Sequence, residues 1–334
     1  MARPRWTRTI IALSGILFLG ALVALSPGAK TSGYADSLTG TPSYLPLAMK
    51  QIPTPTPGAW GRIAFESSRV GPGNIFEIYS MKADGTDVRR LTYLQQYSRD
   101  ASWSPDYSRI VFDSGPRNDD TLREVYVMNA DGSGMQRLTY NSVYDWDPSW
   151  SPDGSRIAFT SSLSGNRDIW LMDTSGSGLV NLTNNPGADF DPSWSPDGAH
   201  IAFSSGRDGD YNIYVMNRDG GGVSRLTDDP DYDGDPSWSL DGTRIAFESN
   251  RGGHWEIWVM NANGSGEWPL TSTPGRDLDP SWLLGAERIV FNSDRYPHDD
   301  DMEIYIMNSD GSGVTRLTYA AGTDGDACAR PGCP

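Results

Sequence analysis

The sequence DPSWSPDG at residues 147–154 returns unchanged at residues 191–198, and close variants of it recur along most of the chain. Three other landmarks repeat with it: an Ile-Ala-Phe-type triplet, a methionine that ends an apolar run, and a Leu-Thr pair. Each landmark occurs six times, in steps of 44 or 47 residues. A unit of this length cannot bury its own apolar face and must stack on its neighbours, so the sequence predicts a repeat protein.

Each unit reads as four short strands separated by turns. In the unit that begins at Asp191, the predicted strands are 192–195, 200–204, 212–217 and 224–227. The middle two alternate polar and apolar residues, and glycine-containing turn sequences separate the strands. Four strands in 40–45 residues make one blade of a β-propeller. The sequence therefore predicts an all-β, six-bladed β-propeller of four-stranded blades at residues 59–334.

The two ends of this region predict how the ring closes. The first unit lacks its first strand, whereas residues 325–332 follow the last Leu-Thr pair at the spacing of a first strand. Such a C-terminal strand would complete the first blade and remove the exposed sheet edges of an open ring. Ala329 stands where the other first strands have tryptophan.

Charge and the N-terminal residues indicate an exported acidic protein. The net charge is −16, and the residues after position 35 carry 43 acidic side chains against 23 basic ones. Nucleic acid is excluded as a partner because phosphate binding needs a basic surface. Three arginines precede an apolar run at 10–25, which predicts a signal peptide at 1–35. The membrane is a partner only if that segment is retained as an anchor, and 36–58 is a Thr/Pro-rich spacer.

The only cysteines in the chain are Cys328 and Cys333, both in the segment expected to close the ring. Export permits a disulfide between them that would fix the C-terminal tail. Two free thiols, or thiols linked to a partner, are the alternatives.

The units, written DPSWSPDG-x-x-IAF, IYVMN-x-DG-x-G and RLT, resemble the WD-like β-propeller repeat of the TolB family. The resemblance covers about residues 59–334. It implies a six-bladed propeller of the bacterial periplasm or cell surface, in a family whose namesake docks proteins in the Tol–Pal envelope system. Fold alone does not assign a function, so the site must be argued from residues.

The sequence contains no nucleophile elbow, Walker loop, dinucleotide fingerprint or zinc spacing. The three histidines, His200, His254 and His298, lie at unrelated positions of three units. These absences favour a non-catalytic protein.

Two series of aspartates are the candidate site. The inner series lies three residues before each first-strand tryptophan position: Asp100, Asp147, Asp191, Asp235, Asp279 and Asp326. The outer series lies two residues earlier in five units: Asp145, Asp189, Asp233, Asp277 and Asp324. An aspartate before proline commonly fixes a strand entrance, so we expect the inner series to be structural or, alternatively, to form a second ring at the channel. We expect the outer series to encircle a channel mouth and to bind a cation such as calcium or a basic partner.

Together these features predict an exported binding propeller that docks an envelope or extracellular protein or peptide, of basic character, at an acidic channel mouth. The alternative is a metal-dependent propeller enzyme, such as a lyase, lactonase or glycan-acting hydrolase, that uses the channel carboxylates. Such an enzyme commonly adds a histidine or arginine as general acid or base.

Overall fold

The computed structural model describes residues 61–69, 75–116, 122–283, 287–295 and 301–329. All secondary structure in these ranges is β-strand, and they contain no helix that is long and apolar enough to cross a membrane. The predicted signal peptide, the spacer, His298 and Cys333 lie outside the described residues.

The strands form six antiparallel sheets of four, one for each predicted blade. The first strands of blades 1–6 are β24 (Asp324–Cys328), β4 (Tyr97–Trp103), β8 (Asp145–Trp150), β12 (Asp189–Trp194), β16 (Asp233–Trp238) and β20 (Asp277–Trp282). The second strands are β1 (Arg62–Ser67), β5 (Arg109–Gly115), β9 (Arg156–Ser161), β13 (His200–Ser205), β17 (Arg244–Ser249) and β21 (Arg288–Ser293). The third strands are β2 (Glu77–Lys82), β6 (Glu124–Asn129), β10 (Asp168–Asp173), β14 (Asn212–Asn217), β18 (Glu256–Asn261) and β22 (Glu303–Asn308). The fourth strands are β3 (Arg89–Arg90), β7 (Gln136–Arg137), β11 (Val180–Asn181), β15 (Ser224–Arg225), β19 (Trp268–Pro269) and β23 (Thr315–Arg316).

The predicted all-β six-bladed architecture is confirmed, with one systematic difference at the first strands. In blade 4 the first strand begins at Asp189, three residues before the predicted start. The extra residues pair with the end of the second strand, Asp189 opposite Ser205 and Phe190 opposite Ser204. The outer and inner series are therefore strand residues and not loop residues.

The Leu-Thr pair ends each blade by bonding to the start of its third strand. In blade 4, the Leu226 N–H donates to the carbonyl of Ile213, and the Thr227 hydroxyl accepts from the Ile213 N–H at 3.0 Å. The threonine bond recurs in all six blades. Because the fourth strand has only two residues, this side-chain bond extends its pairing.

The apolar core lies between adjacent blades. Trp150 of blade 3, for example, is fully buried and packs with Val111 and Val125 of blade 2. All five first-strand tryptophans are at most 5% exposed. The tryptophan series is therefore core that joins blades.

The ring is closed by the C-terminal strand, as predicted. Strand β24 pairs with β1, with Ser67 opposite Asp324 and Ala64 opposite Cys328. A Cβ on Gly85 of blade 1 would lie 2.8 Å from the Leu317 carbonyl of blade 6, the same close approach seen between the other blades. Cys328 is buried and disulfide-bonded.

A local exchange in blade 6 compensates for the missing tryptophan of blade 1. Ala329 is fully buried at the blade 6 and blade 1 interface, in a cluster with Leu283. Leu283 replaces a serine of the repeat and is 4% exposed, while its N–H still donates to the Arg288 carbonyl. The leucine therefore fills interface volume without opening the hairpin.

Candidate functional site: the acidic channel

The inner series surrounds a central channel. One member comes from each blade, and together with Pro280, Ser281 and Ala327 they line a cavity of about 30 Å³. A water molecule needs about 10–15 Å³ of such space, so the cavity has room for two waters or one ion. The aspartates thus lie as a ring, one per blade.

A β-bulge aims each inner-series carboxyl at the channel. All six aspartates have positive φ, between 42° and 55°. The pairing of first and second strands shifts register at the same point, as between Phe190 and Ser193. Aspartate adopts this left-handed conformation more readily than most residues, and bulges redirect side chains. The inner series therefore occupies the bulges and lines the channel.

The outer series is placed differently from our expectation. All five members are fully buried within the blades, away from the cavity lining. Asp189 accepts hydrogen bonds from the Arg207 guanidinium at 3.0 and 3.1 Å and from the Ser205 hydroxyl. Equivalent arginines pair with Asp324, Asp233 and Asp277. Four members of the outer series therefore clamp the loop after the second strand through an arginine, whereas Asp145 accepts hydrogen bonds from Ser161 and Asn141. The channel mouth is formed by other residues.

The second strands add three carboxyls that the sequence reasoning missed. They occupy the residue after the phenylalanine of the repeated triplet: Glu66, Asp113 and Glu248, where the other blades have Thr160, Ser204 and Asn292. Oxygens of Glu66, Asp100 and Asp326 lie within 4.8 Å of one another, and so do those of Asp235, Glu248 and Asp279. The sequence signal that could have identified them is their position: each follows the phenylalanine of the triplet and lies beside the bulge of the first strand.

Crowding in a buried channel makes most of these carboxyls weak acids. Burial raises the pKa of Asp191 and of Asp326 to about 6 and that of Glu248 to about 8. Burial and the neighbouring carboxylates also raise the pKa values of Asp235 and Asp279 well above their usual range. Carboxyls of this kind share protons or bind a cation, because several buried negative charges repel one another.

Two arginines compensate one side of the channel. Arg123 lies 3.3 Å from Asp113 and 3.5 Å from Asp100, and Arg99 Nε lies 3.7 Å from Glu66 Oε2. Burial raises the pKa of Asp100, but hydrogen bonding with Asp113 and the charges of Arg123 and Arg99 outweigh it, leaving the pKa below its usual value. In the described part of the chain, no lysine or arginine forms an ion pair with the Asp235, Glu248 and Asp279 group.

Aromatic side chains form the mouth above the channel. Phe190, Tyr211, Tyr232 and Trp255 make a continuous row, with successive ring centroids 5.0–5.5 Å apart. Burial and the charges of Asp235 and three other channel carboxyls raise the pKa of Tyr232 well above its usual value. The row therefore stands over the carboxyls of blades 4–6. Phe76 and Tyr97 form a second pair beside Arg99.

Three buried oxygens on the second strands have no hydrogen-bond donor: Glu66 Oε2, Asp113 Oδ1 and Asn292 Oδ1. Asn292 is 2% exposed, and its amide donates to the inner-series Asp279. Unsatisfied acceptors at such depth are unusual and point to a missing donor or cation. Neither described histidine, His200 or His254, lines the cavity.

We predict that the Asp–Arg clamps of the outer series stabilise the fold and take no part in binding. Arg207→Leu leaves the buried Asp189 without its counter-charge, and we expect the free energy of unfolding to fall by about 3 kcal/mol in urea. The double variant Arg207→Leu with Asp189→Ser imitates blade 2, where Ser98 faces Ser114 at 3.3 Å. It should recover more than half of that loss. A single variant as stable as the unmodified protein would contradict the clamp.

Comparison with solved structures supports the fold class. The molecule is a six-bladed β-propeller, similar to TolB from Acinetobacter baumannii with a TM-score of 0.72 at 24% identity over 81% of this chain and 67% of that one. A putative TolB from Agrobacterium tumefaciens gives 0.66 at 24% identity over 81% and 93%. Hydrazine synthase from Kuenenia stuttgartiensis gives 0.65 at 17% identity over 82% and 48%.

The second half of the chain also resembles a known repeat family in sequence. The family model described as the TolB beta propeller domain matches residues 180–268 and 234–331. This match, with the structural similarities, confirms the predicted TolB-like six-bladed propeller. Among curated protein sequences, none matches the chain significantly.

Proposed function

We propose that this protein is an exported, non-catalytic binding propeller that docks a basic protein or peptide at its channel mouth. Export is supported by the arginine-led apolar run of residues 1–35. The partner would be an envelope or extracellular component that meets the mouth from solution. The negative field of the chain, with its net charge of −16, favours association with positively charged partners.

One observation carries the proposal: a ring of nine carboxyls is only partly balanced by two arginines. The ring comprises the six inner-series residues together with Glu66, Asp113 and Glu248. Arg99 and Arg123 pair on the side of blades 1 and 2, so the surplus charge is concentrated at blades 3–6. A mouth with aromatic walls and an acidic floor suits a cationic side chain, which gains from both.

The test is a capture experiment with a matched pair of double variants. Asp191→Asn with Asp235→Asn removes two channel carboxyls, and asparagine tolerates the left-handed bulge. Asp131→Asn with Asp310→Asn removes two charges from exposed turns at the other end of the blades, where Asn263 already occupies the equivalent place. We expect immobilised protein to retain a specific partner from the exported fraction, and the channel variant alone to lose at least 90% of it. Equal capture by both variants would remove the mouth from the proposal.

Calcium is the second candidate, favoured by the convergence of Asp235, Glu248 and Asp279 oxygens within 4.8 Å. Calcium takes six to eight oxygen ligands, so these three residues would need help from water and from the Asn292 carbonyl. A metal-dependent reaction would need a further acid or base beside this group. The residues that line the cavity include neither the histidine nor the arginine expected for that role, so no specific observation favours the enzyme alternative.

A further inference from the structure

The channel contains the same carboxylate group twice. Each group consists of a glutamate on the second strand of one blade, the inner-series aspartate of that blade, and the inner-series aspartate of the next blade. In blades 1 and 2 these are Glu66, Asp326 and Asp100, and in blades 5 and 6 they are Glu248, Asp235 and Asp279. The repeat therefore allows one group to be compared with the other within a single molecule.

The first group is occupied by an arginine of the chain itself. Arg99 directly precedes Asp100, and its Nε lies 3.7 Å from Glu66 Oε2, an ion-pair contact without a hydrogen bond. The guanidinium carbon lies 4.2 Å from the centroid of the Phe76 ring and 5.4 Å from that of Tyr97. The site thus combines a carboxylate floor with an aromatic wall, an arrangement that favours a planar, weakly hydrated cation.

The second group has the same frame but lacks the cation. The residue before Asp279 is Leu278, and Trp255 takes the place of Phe76 before the third strand. The backbone is equivalent, because the Ser98 N–H donates to the Phe76 carbonyl and the Asp277 N–H to the Trp255 carbonyl, both at 2.9 Å. Leu278 is partly exposed and carries no charge, so it leaves the Glu248 group uncompensated.

A second, independent feature marks this group as incomplete. Asn292 lies on the second strand of blade 6, at the position that Glu66 and Glu248 hold in blades 1 and 5. Its amide nitrogen donates to Asp279, whereas its carbonyl oxygen is buried without a donor. A guanidinium has five N–H groups, enough to donate to both Glu248 and Asp279. A metal ion would leave the Trp255 and Tyr232 rings without a role.

We propose that the Glu248 group binds a guanidinium group in trans, from an arginine side chain of the docked partner, in the way that the Glu66 group binds Arg99 in cis. This inference rests on the proposed function and specifies its partner as a protein or peptide with an accessible arginine. The aromatic row of blades 4 and 5 would flank the arginine as it enters.

The test measures peptide binding to the full chain by calorimetry at low salt and pH 8.5. The probes are acetyl-Gly-Arg-Gly-amide and the same peptide with citrulline, which is isosteric and neutral. We expect one site per chain and at least tenfold tighter binding of the arginine peptide. Equal binding of the two peptides, or a calcium-induced rise in melting temperature without arginine binding, would overturn the proposal.

A variant that fills the site provides the sharper control. Leu278→Arg reproduces Arg99 in the second group, and we expect it to weaken arginine-peptide binding at least tenfold while raising the melting temperature. Leu179→Arg adds the same charge to an exposed turn before the fourth strand of blade 3 and should change the affinity less than twofold. Unchanged affinity in Leu278→Arg would overturn the inference. If the unmodified protein still captures its partner and the channel variant does not, the proposed function stands without this inference.

Discussion

Removal of residues 324–334 is expected to unfold the propeller or to lower its melting temperature by more than 15 °C. Strand β24 supplies the first strand of blade 1, and Ala327, Cys328 and Ala329 are each at most 3% exposed. Its loss would also leave Arg69 without its partner, because this arginine pairs with the fully buried Asp324 at 2.5 Å. Loss of one buried partner alone costs about 3–5 kcal/mol, a large part of the 5–15 kcal/mol that stabilises most proteins.

The control for this truncation restores the strand at the other end. A permuted chain places residues 324–329 and a Ser-Pro-Asp-Gly turn before Gly61, so that blade 1 becomes continuous in sequence. Because β24 and β1 are already antiparallel neighbours, this chain should fold with a melting temperature within about 5 °C of the original. A truncated protein as stable as the full chain, measured by circular dichroism and calorimetry, would show that β24 does not close the ring.

Raising the pH from 5 to 8.5 is expected to destabilise the free protein, by about 5 °C or more in melting temperature. A carboxyl whose pKa is higher in the folded than in the unfolded chain favours folding at low pH, and this contribution disappears as pH rises through the folded value. Burial raises the pKa values of Asp191 and Asp326 to about 6 and of Glu248 to about 8, against about 4 when unfolded. The loss therefore falls between pH 4 and pH 8.

The surface carboxyls affect stability over a different pH range. Hydrogen bonds with Ser133 and Ser312 lower the pKa values of Asp131 and Asp310, so their contribution is lost only as pH falls below about 4. Asp191→Asn with Asp235→Asn should flatten the slope above pH 5, whereas Asp131→Asn with Asp310→Asn should leave it unchanged. A melting temperature that stays level or rises from pH 5 to 8.5 would contradict the crowding of ionised groups in the channel.

The architecture could be predicted from the sequence because the same repeat occurs six times. Blade number, strand order and closure follow from the spacing of landmarks such as the Leu-Thr pair, and the alanine in place of tryptophan at Ala329 did not prevent β24 from pairing. The start of the first strands was wrong by three residues in blade 4, since Asp189 and Phe190 look like turn residues until their partners on the second strand are known.

The candidate site was harder to predict for a geometric reason. In a regular strand, Asp189 and Asp191 would point to the same face, and both series would meet the channel. The bulge interrupts that alternation, so the outer series turns into the blade and the inner series into the channel. Arg99 and Glu248 make the charge of the channel differ from blade to blade. Each departs from the repeat at a single position, and a single sequence does not distinguish such a position from ordinary variation between repeats.

The bulge also separates two requirements that usually compete in a binding site. The six aspartates adopt the left-handed backbone conformation of the bulges. The neighbouring second-strand residues determine the charge of the channel. Thr160, Ser204 and Asn292 already show that the second-strand position accepts neutral side chains without loss of the blade. The propeller is thus a scaffold in which the charge around the channel can be changed blade by blade, by substitutions on the second strands that leave the six aspartates in place.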